Sequence, residues 1–581
     1  MARSFYSHRV EIIPREFITQ EGNVYSKTAR VTLLDEQNHE ITVLSLGVPD
    51  LNTVYDAIGN GAPVNLNECY VKGFSLTACR RLQLLDKTAT LPIAGFIAKE
   101  SFFVSPISLD FTNADFTGDY THFEGATFVS PELNFHGSRF SNGGVNMSNM
   151  YVKVGKFNMV GCDAQQGNVT FKNTIFDSGS KDFQDFNFGS GVVEFTNTEF
   201  GNGDVSFINT RYNSSDVSFK VARFGIGKVD FHFAKFGSGT VSFERTEFGT
   251  GRVDFRTVEF GQGKTSFNRC SFGDGEVTFD GADANNGKIT FNRSQFGLGS
   301  LSFEQFHGAA AQLIFEKVTF PGDVNFSSAV LESLLLPNCQ FNGKLNLQVD
   351  ICQNIDLSGS VVRDIADFYS FGNVPRVNVL NLAGMRLLGK FYLDWKVNKL
   401  QSLIYNQPRT TMDEKAEQFR ILKENFSDLG RYSDEDYAYV EFRRCELKTI
   451  LQYELEGNWV SKALAYPHYF FKKLVFDWIG LYATEPARVF VSIIAIYVFF
   501  SLLYIGLISS GIGNILPTSV NGESLSLVGR SFYHSAITFF TIGYGDFVPV
   551  GAIRLFCGFE GFIGVFLMAY FTVAFVRKIL R

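Results

Sequence analysis

The chain has 581 residues, and its 63 Phe and 54 Gly stand out against 3 Trp and 7 Met. Such a length allows roughly two to four domains, and a Phe/Gly excess with only 14 Pro predicts short strands with tight turns rather than disorder. A net charge of -7 argues against a nucleic-acid partner. The eight Cys show no zinc or redox spacing and are interpreted as reduced thiols.

The first 100 residues predict a β-rich cap. Stretches such as "ARVTLLDEQNHEITVLSL" alternate apolar and polar residues, as strands do, but show no longer period. The opening "MARSFYSHRVEIIPREF" lacks the apolar core of a signal peptide, so we expect this part of the protein to be cytosolic. A solenoid needs a terminal cap, and this segment is placed to supply one.

Residues 101–395 predict a β-solenoid. In "FGSGTVSFERTEFGTGRVDF" a unit F-G-x-G-x-V-x-F-x-x-x-x recurs every 12 residues, which places one Phe column at Phe195, Phe207, Phe219 and onwards. A second Phe column precedes it by seven residues. A short fixed period is typical of a stack in which each unit buries its apolar edge against its neighbours.

The two Phe columns indicate how the chain turns. Val and Phe of V-x-F share one strand face, whereas the next Phe has the opposite parity, so a corner must lie between them. The Gly-x-Gly is expected to form another corner, in a backbone conformation that other residues avoid. This favours a parallel β-helix with stacked Phe ladders, and two repeat units per coil are preferred over one because both Phe then fit inside.

The solenoid sequence argues against a calcium roll. Val occupies the position where such a roll has its aspartate, as in Val205 and Val229, and cannot ligate the ion. The residue between Val and Phe is polar, which we interpret as a solvated face rather than a binding face. The repeat resembles, in a looser form, the pentapeptide-repeat β-helices, which mostly act as scaffolds or binding surfaces.

Residues 396–460 predict a helical hairpin linker. Thr411 with Glu414 fits a capping box, Gly430 ends the first helix, and Ser433 with acidic residues 434–436 starts the second. The sequence leaves two roles open for this hairpin. It either closes the end of the solenoid or couples the solenoid to the segments that follow.

Residues 461–484 predict an amphipathic helix that lies on a membrane without crossing it. Lys472, Lys473 and Asp477 fall outside its apolar face. That face consists of Phe470, Phe471, Leu474, Val475, Trp478 and Ile479.

Two apolar stretches, 487–508 and 552–576, are long enough to cross a bilayer as helices. Basic residues flank one side of the pair, and the loop between the stretches carries Arg530. The flanking residues are Lys472, Lys473, Arg488, Arg577, Lys578 and Arg581. The positive-inside rule therefore predicts a multi-pass protein of the plasma or inner membrane with both termini in the cytoplasm.

Between the two spans lies "TFFTIGYGDFVP", from Thr538 to Pro549. Residues 531–540 are too few to span a bilayer but suffice for a short re-entrant helix, whose C-terminal end would carry negative dipole charge. Non-helical backbone at this depth survives only inside protein or beside water. Gly543 and Gly545 permit dihedrals that turn successive carbonyls the same way, and the hydroxyl of Thr541 adds a further oxygen ligand.

The motif TIGYGD between two spans resembles the selectivity filter of potassium channels of the two-transmembrane-helix pore type, over residues 485–581. The resemblance implies an α-helical pore domain with a re-entrant pore helix and filter at 530–546. It also implies a homotetramer, because several rows of carbonyls must surround one axis. Potassium would bind at Thr541, Ile542, Gly543 and Tyr544, with Gly545 completing the filter, and would be the permeant ion with no cofactor needed.

Further site residues follow from the same resemblance. Asp546 would support the filter through hydrogen bonds, and Tyr544 would pack against aromatic residues of the pore helix. Glu560, the one acid within either span, is expected to brace the filter from behind. The hinge and the lower gate would be formed by Gly564, Met568, Thr572 and Val576.

The sequence thus predicts a potassium-selective channel that conducts passively and is ligand-gated or anchored by its cytosolic β-solenoid. No catalytic triad, metal cluster or phosphate loop suggests an enzyme. The partners expected are three further copies, membrane lipid and an unidentified cytosolic ligand or protein on the solenoid. Two alternatives are a membrane-anchored scaffold with little ion flux and a channel that discriminates poorly among cations.

Overall fold

The computed structural model describes residues 4–119, 121–141, 143–213, 216–369, 376–518 and 525–580. The chain forms two compact units, Met1–Gln407 and Pro408–Arg581, and each is described by itself. Arg581, one of the basic residues used above to predict orientation, lies outside the described residues.

The first unit begins with a small antiparallel sheet. Its apolar face, which includes Val31 and Leu46, packs with Phe5 against Tyr70, Phe102 and Tyr151 of the coils that follow. The strands of this sheet are Ser7–Ile13, Thr28–Leu34 and Glu40–Gly47. An adjoining hairpin consists of Phe17–Ile18 and Val24–Tyr25.

Parallel coils begin inside the segment predicted as a cap. Val64 pairs in parallel with Phe96, well before residue 101. The first coils are irregular because they contain helix α2 (Leu76–Leu82), capped by Ser75, shortly after α1 (Leu51–Gly59), capped by Asp50. A helix inserted in a coil hides the 12-residue period, which explains why the sequence shows no repeat here.

The remaining strands of the first unit stack into the walls of a parallel β-helix, which confirms the predicted fold class. One wall contains Tyr70–Lys72, Phe102–Val104, Leu109–Asp110, Thr127–Asn134, Tyr151–Asn158, Ile175–Phe176, Ser180–Asp182, Val205–Ser206, Val229–Asp230, Val253–Asp254, Val277–Thr278, Leu301–Ser302, Val324–Asn325, Leu345–Asn346, Ile365–Asp367 and Lys390–Tyr392. A second wall contains Val64–Asn65, Phe96–Ile97, Thr121–His122, Val145–Asn146, Val169–Thr170, Val193–Glu194, Val217–Ser218, Val241–Ser242, Lys264–Ser266, Lys288–Thr290, His307–Ile314, Val330–Leu335, Ile351–Asp356 and Arg376–Asn381. Shorter strand groups are Leu91–Ile93, Ala114–Phe116 and Arg139–Phe140; Asn187–Gly189, Arg211–Tyr212 and Lys235–Phe236; and Thr319–Phe320, Gln340–Phe341, Val361–Val362 and Arg386–Leu387.

Each regular coil contains two of the 12-residue units. Val205 pairs with Val229, and the amide of Asn209 donates to Asp185 Oδ1 of the coil before, 24 residues away, at 2.6 Å. The preference for two units per coil is therefore confirmed. Helix α3 (Leu400–Tyr405) follows the last coil.

The interior is a double ladder of aromatic rings. Phe183, Phe207 and Phe231 stack in nearly parallel planes with successive centroids 4.7 Å apart, as offset-stacked rings do, and Phe219 meets Phe231 edge to face at 5.6 Å. These rings are fully buried. Both arrangements are the ones aromatic pairs prefer, so the Phe period supplies the core of the solenoid, as predicted.

A pair of neighbouring phenylalanines tests this core. Phe231→Ala should destabilise the protein by about 3–5 kcal/mol, because it leaves a cavity between stacked rings. Phe233→Ala, two residues on, should change the free energy of unfolding by less than about 0.5 kcal/mol, since Phe233 is 50% exposed. Thermal unfolding of the full-length protein, followed by circular dichroism, compares the two. Equal losses would contradict the ladder as the source of stability.

The repeat glycines serve two purposes: some take the predicted left-handed backbone, as Gly201 (φ 60°) and Gly203 (φ 112°) do, and others are needed for a reason that was not predicted. At Gly249 and Gly251 an added Cβ would lie 1.9 and 1.8 Å from carbonyl oxygens of the coil before, whereas φ is not in the left-handed region. Glycine is needed there because adjacent backbones approach closely. The other corner, between the two Phe columns, contains no glycine in most coils. Its left-handed position is occupied by residues such as Asn209 (φ 53°) and Arg245 (φ 59°).

The second unit begins with a helical pair, α4 (Met412–Asp428) and α5 (Tyr432–Glu456). The predicted capping box is confirmed, since Thr411 accepts from the backbone of Glu414 at 3.2 Å and Glu414 accepts from that of Thr411 at 2.7 Å. The predicted start of α5 at Ser433 is displaced, because the helix begins one residue earlier with Arg431 at its N-cap.

The segment predicted as one interfacial helix is broken into three. Helix α6 (Trp459–Lys472) runs into a π-helical turn at Lys473–Trp478, and a 3-10 turn at Leu481–Ala483 follows. The predicted apolar residues are largely exposed; Phe471 is 62% exposed and Trp478 54%. Asp477, expected outside the apolar face, is instead buried.

Among the described residues, two helices are long and apolar enough to cross a membrane, α7 (Pro486–Ser509) and α9 (Ile553–Ile579). Between them lie α8 (Leu527–Phe539) and two short antiparallel strands, Gly513–Pro517 and Phe547–Gly551. A helix of 13 residues rises about 20 Å, which is too short to cross about 30 Å of hydrocarbon. These helices agree with the predicted pair of spans around a re-entrant helix.

Candidate functional site

The TIGYGD segment follows directly on the C-terminal end of α8. Ser526 caps the start of this helix by accepting from the backbone of Gly529 at 3.1 Å. At the other end, the backbone amides of Thr541 and Ile542 donate to the carbonyls of Thr538 and Ile537 at 3.2 and 2.9 Å. The segment is thereby fixed at the end of the helix where the negative dipole charge accumulates.

Backbone dihedrals alternate along the segment. Thr541, Gly543 and Gly545 have φ of 52°, 69° and 74°, and Ile542 and Tyr544 lie between them. An added Cβ at Gly543 would meet no atom of the described chain within 4 Å. Glycine is therefore required at this position by its left-handed backbone rather than by close neighbours.

Two residues that the sequence analysis did not single out hold the outer end of the segment. Thr518 donates its hydroxyl to the Gly545 carbonyl at 2.6 Å, and its backbone amide donates to the Asp546 carbonyl at 2.8 Å. Tyr533 of α8 donates its hydroxyl to Asp546 Oδ2 at 2.8 Å. The Asp546 carboxylate is thus attached to α8, and the supporting role that the resemblance implies for it stays a prediction.

The predicted filter residues form one exposed stretch in the single chain. Ile542 is 48% exposed and Tyr544 72%. Among the described residues of one chain, no ring contact joins Tyr544 to the aromatic residues of α8, and the α8 residue Tyr533 contacts Phe547 and Asp546. An exposed apolar and aromatic stretch is a surface suited to contact with another protein copy.

Glu560 joins the two long apolar helices, α7 and α9, to α8. It is fully buried in α9, accepts from the Tyr504 hydroxyl of α7 at 2.6 Å, and accepts a second hydrogen bond from Ser535 of α8. A buried carboxylate is retained at low cost only when its oxygens are hydrogen-bonded. Glu560 therefore contacts the helix behind the segment rather than the segment itself.

Gly564 allows α8 and α9 to meet. An added Cβ would lie 2.1 Å from the Phe539 carbonyl oxygen, so glycine is required here by a close approach of the two helices. The hinge role predicted for Gly564 stays a prediction. Sequence reasoning had no signal for this close contact between Gly564 and Phe539.

Substitution at Gly564 provides a test of this contact. Gly564→Ala should lower the stability of the protein by about 1–3 kcal/mol, because the Phe539 carbonyl must move. Gly558→Ala on the same helix should have little effect, since an added Cβ there meets no described atom within 4 Å. Melting temperatures of the two detergent-solubilised variants are compared with that of the parent protein. Equal melting temperatures for both variants would contradict the close approach.

Comparison with known proteins agrees with this geometry. Residues 489–581 match the family model described as Ion channel. The C-terminal part of the chain is thus an ion channel domain, and its two long apolar helices make the chain a membrane protein. No curated protein and no solved structure matches the chain.

The predicted gate residues lie on the second long helix of the channel domain. Met568, Thr572 and Val576 follow Gly564 at intervals of one helical turn and share its face. Thr572 and Val576 are exposed in the single chain. The gating roles of these residues stay predictions.

The C-terminal end of α9 is held by α5. Asp436, whose side chain is 8% exposed, pairs with Arg577 at 3.2 Å and with Lys578 at 3.3 Å. The Arg577 guanidinium also lies 4.4 Å from the ring centre of Tyr439. We call these four residues the Asp436 cluster. Sequence reasoning interpreted residue 436 as part of a helix start and had no signal for a partner 141 residues away.

A second ion pair joins α5 to the π-helical turn. The Arg444 guanidinium donates to Asp477 at 2.8 Å and to Glu441 at 2.8 Å. Burial alone would lower the pKa of Arg444, but the hydrogen bonds to Asp477 and the charge of Glu441 outweigh it and raise that pKa. The ion pair offsets the cost of burying the Asp477 carboxylate, which explains why Asp477 is buried although it was predicted to lie on the polar side of the helix.

The π-helical turn and the loop after it also contact α9. The Tyr570 hydroxyl accepts from the backbone amide of Ala483 at 3.0 Å and donates to the Phe476 carbonyl at 3.3 Å. The helical pair, the broken interfacial segment and α9 thus form one connected set of contacts within the second unit.

Proposed function

We propose that the protein is a potassium-selective channel that conducts passively through a homotetrameric pore. The carbonyl oxygens of Thr541, Ile542, Gly543 and Tyr544 would replace the hydration shell of the ion. Gly545 completes the filter. The potassium ion is the substrate of this process and no cofactor takes part.

The observation that carries this proposal is the backbone of the TIGYGD segment. Left-handed residues at Thr541, Gly543 and Gly545 alternate with Ile542 and Tyr544, so successive carbonyls can turn toward one side of the segment. The residues that hold the segment, Thr518 and Tyr533, contact it from behind or at its outer end. In the proposed pore, the carbonyls of Thr541, Ile542, Gly543 and Tyr544 would face the axis on the side away from these contacts.

One chain supplies one row of carbonyls, and a hydration shell is replaced only when several rows surround an axis. The exposed side chains of Ile542 and Tyr544 and the exposed face of α9 at Thr572 and Val576 support such an assembly. Four copies with cyclic symmetry would cover these surfaces and line the pore. We place both termini on the cytoplasmic side of the plasma or inner membrane, from the basic residues that flank the spans.

The Asp436 cluster supports control of the pore by the N-terminal part of the chain. The chain runs from the solenoid through α3 into α4 and α5, and Asp436 of α5 pairs with Arg577 and Lys578 at the end of α9. A signal that displaces α5 would therefore act on the end of the helix that carries the predicted gate. We assign the hairpin this coupling role rather than that of a passive closure of the solenoid.

The proposal is tested by ion flux from liposomes that contain the purified full-length protein. Potassium efflux should exceed sodium efflux by at least about tenfold, which corresponds to a difference of about 1.4 kcal/mol between the ions. Protein-free liposomes are the control. Assembly without flux of either ion would favour the membrane-anchored scaffold, and equal fluxes would favour the poorly selective cation channel.

A further inference from the structure

One corner of the solenoid forms a column of residues in the left-handed conformation. In the regular coils this column contains Asn149, Asn173 and Asn197, with φ of 57°, 56° and 55°. Asn tolerates this conformation better than most residues. The side-chain amides also bond from coil to coil, from Asn173 to Asn149 at 3.1 Å and from Asn197 to Asn173 at 3.0 Å.

Further along the same column the residues become basic in four successive coils. Arg245, Arg269, Arg293 and Lys317 have φ between 57° and 59°, and all four are exposed. Adjacent strands lie about 4.8 Å apart, so the four charges follow one another in a row. We call these residues the basic ridge.

Within the described part of the solenoid, most of this charge has no acidic partner. Lys317 pairs with Glu316 at 3.6 Å, but among the described residues no ion pair involves Arg245, Arg269 or Arg293. Like charges directly opposite one another on neighbouring strands are unfavourable. The ridge therefore places like charges next to one another in a backbone conformation that is itself unfavourable, and a bound anion would relieve the repulsion between these charges.

Other basic residues of the solenoid behave differently. Arg223 pairs with Glu199 and Glu247 at 3.2 and 3.5 Å, and Arg256 pairs with buried Asp254 at 2.7 Å. Pairing with an acid in the same or the next coil is thus available in this fold. The centre of the basic ridge lacks it.

The neighbours of the ridge are suited to an oxyanion. Asn268 and Asn292 precede Arg269 and Arg293, and their Oδ1 atoms accept from backbone amides of the following coil at 2.8 and 3.2 Å. Their amide NH2 groups therefore remain as donors beside the guanidinium groups. Guanidinium groups bind phosphate oxygens in pairs, which Lys cannot do.

We propose that the basic ridge binds a soluble ligand that carries several phosphate groups in a row. The ridge is one residue wide, and Glu244 and Glu316 lie beside its two ends, so a narrow, linear anion fits it better than a membrane surface or a nucleic-acid duplex. An extended acidic peptide would need apolar pockets or a free strand edge for specificity. The ridge is bordered instead by polar residues such as Ser271 and Gln295.

Inorganic tripolyphosphate is the probe for this proposal, titrated calorimetrically into the detergent-solubilised full-length protein. Arg269→Asn with Arg293→Asn should weaken binding by about tenfold or more, because paired charge-assisted hydrogen bonds are lost. Lys264→Gln with Lys288→Gln removes the same charge from exposed positions in the wall that precedes this corner and should change the affinity by less than about twofold. The Asn variant should unfold at the same or a higher temperature, since Asn occupies this corner in other coils.

Three results would overturn the proposal. They are no binding of tripolyphosphate, equal weakening in both double variants, and tighter binding of poly-glutamate or of phosphatidylserine vesicles than of tripolyphosphate. That the ligand regulates the pore rests on the proposed function, and a change of liposome flux on addition of tripolyphosphate tests it. Binding itself is measured without flux, so failure of potassium selectivity and failure of the ridge are distinguished.

Discussion

Replacing Gly543 with alanine should abolish potassium flux, whereas the same change at Gly511 should leave the flux nearly intact. Both glycines have a left-handed backbone, with φ of 69° and 71°, and an added Cβ at either position meets no described atom within 4 Å. Alanine costs about 1–2 kcal/mol in this conformation. At Gly543 each subunit would carry this strain, and the strain would shift the carbonyls that would face the ion.

Gly511 serves as the matched control because it lies after α7 and outside the TIGYGD segment. Flux from liposomes and size-exclusion chromatography are measured on both variants. We expect both variants to elute as the same oligomer, and we expect potassium flux to be lost in Gly543→Ala but not in Gly511→Ala. A fully conducting, potassium-selective Gly543→Ala protein would contradict the role assigned to the segment.

Neutralising Asp436 should increase potassium flux in the absence of any added ligand. The Asp436 side chain is 8% exposed and pairs with both Arg577 and Lys578. Asp436→Asn should weaken this attachment by about 1–3 kcal/mol, since Lys578 remains partly in water. A shift of about 1.4 kcal/mol changes an equilibrium about tenfold, and the end of α9 would then move without α5.

Asp428→Asn is the matched control, because Asp428 is exposed at the end of α4. A double-mutant cycle sharpens the test. If Asp436 acts through Arg577, then Arg577→Gln should change the potassium flux less in the Asp436→Asn protein than it does in the parent protein. Strict additivity of the two flux changes, or an equal effect of Asp428→Asn, would show that the Asp436 cluster does not restrain the pore.

The solenoid could be predicted from its period because each coil repeats the environment of the last. Phe207 and Phe231 occupy equivalent positions in successive coils and stack at 4.7 Å, so their spacing in sequence encodes their contact. The role of Gly249 could not be predicted in this way. Its requirement arises from a backbone oxygen of another coil 1.9 Å from the added Cβ, and a sequence records the glycine but not the neighbour.

The pore region was predictable for a different reason. The TIGYGD motif, which contains Gly543 and Tyr544, is visible in a few consecutive residues. Hydropathy predicts the two long helices on either side of this motif. Contacts between distant segments have no such signal. Thr518 and Tyr533 hold the outer end of the segment, and Asp436 pairs with Arg577, but neither hydrophobic periodicity nor spacing connects these residues in the sequence.

The most direct test of the account is the reversal potential of the full-length protein in a planar bilayer, with potassium on one side and sodium on the other. A tenfold preference for potassium corresponds to a shift of about 59 mV for a monovalent ion. We expect the reversal potential to shift by at least that amount, in the direction of potassium selectivity. A current that reverses near zero would show that the TIGYGD segment does not select potassium.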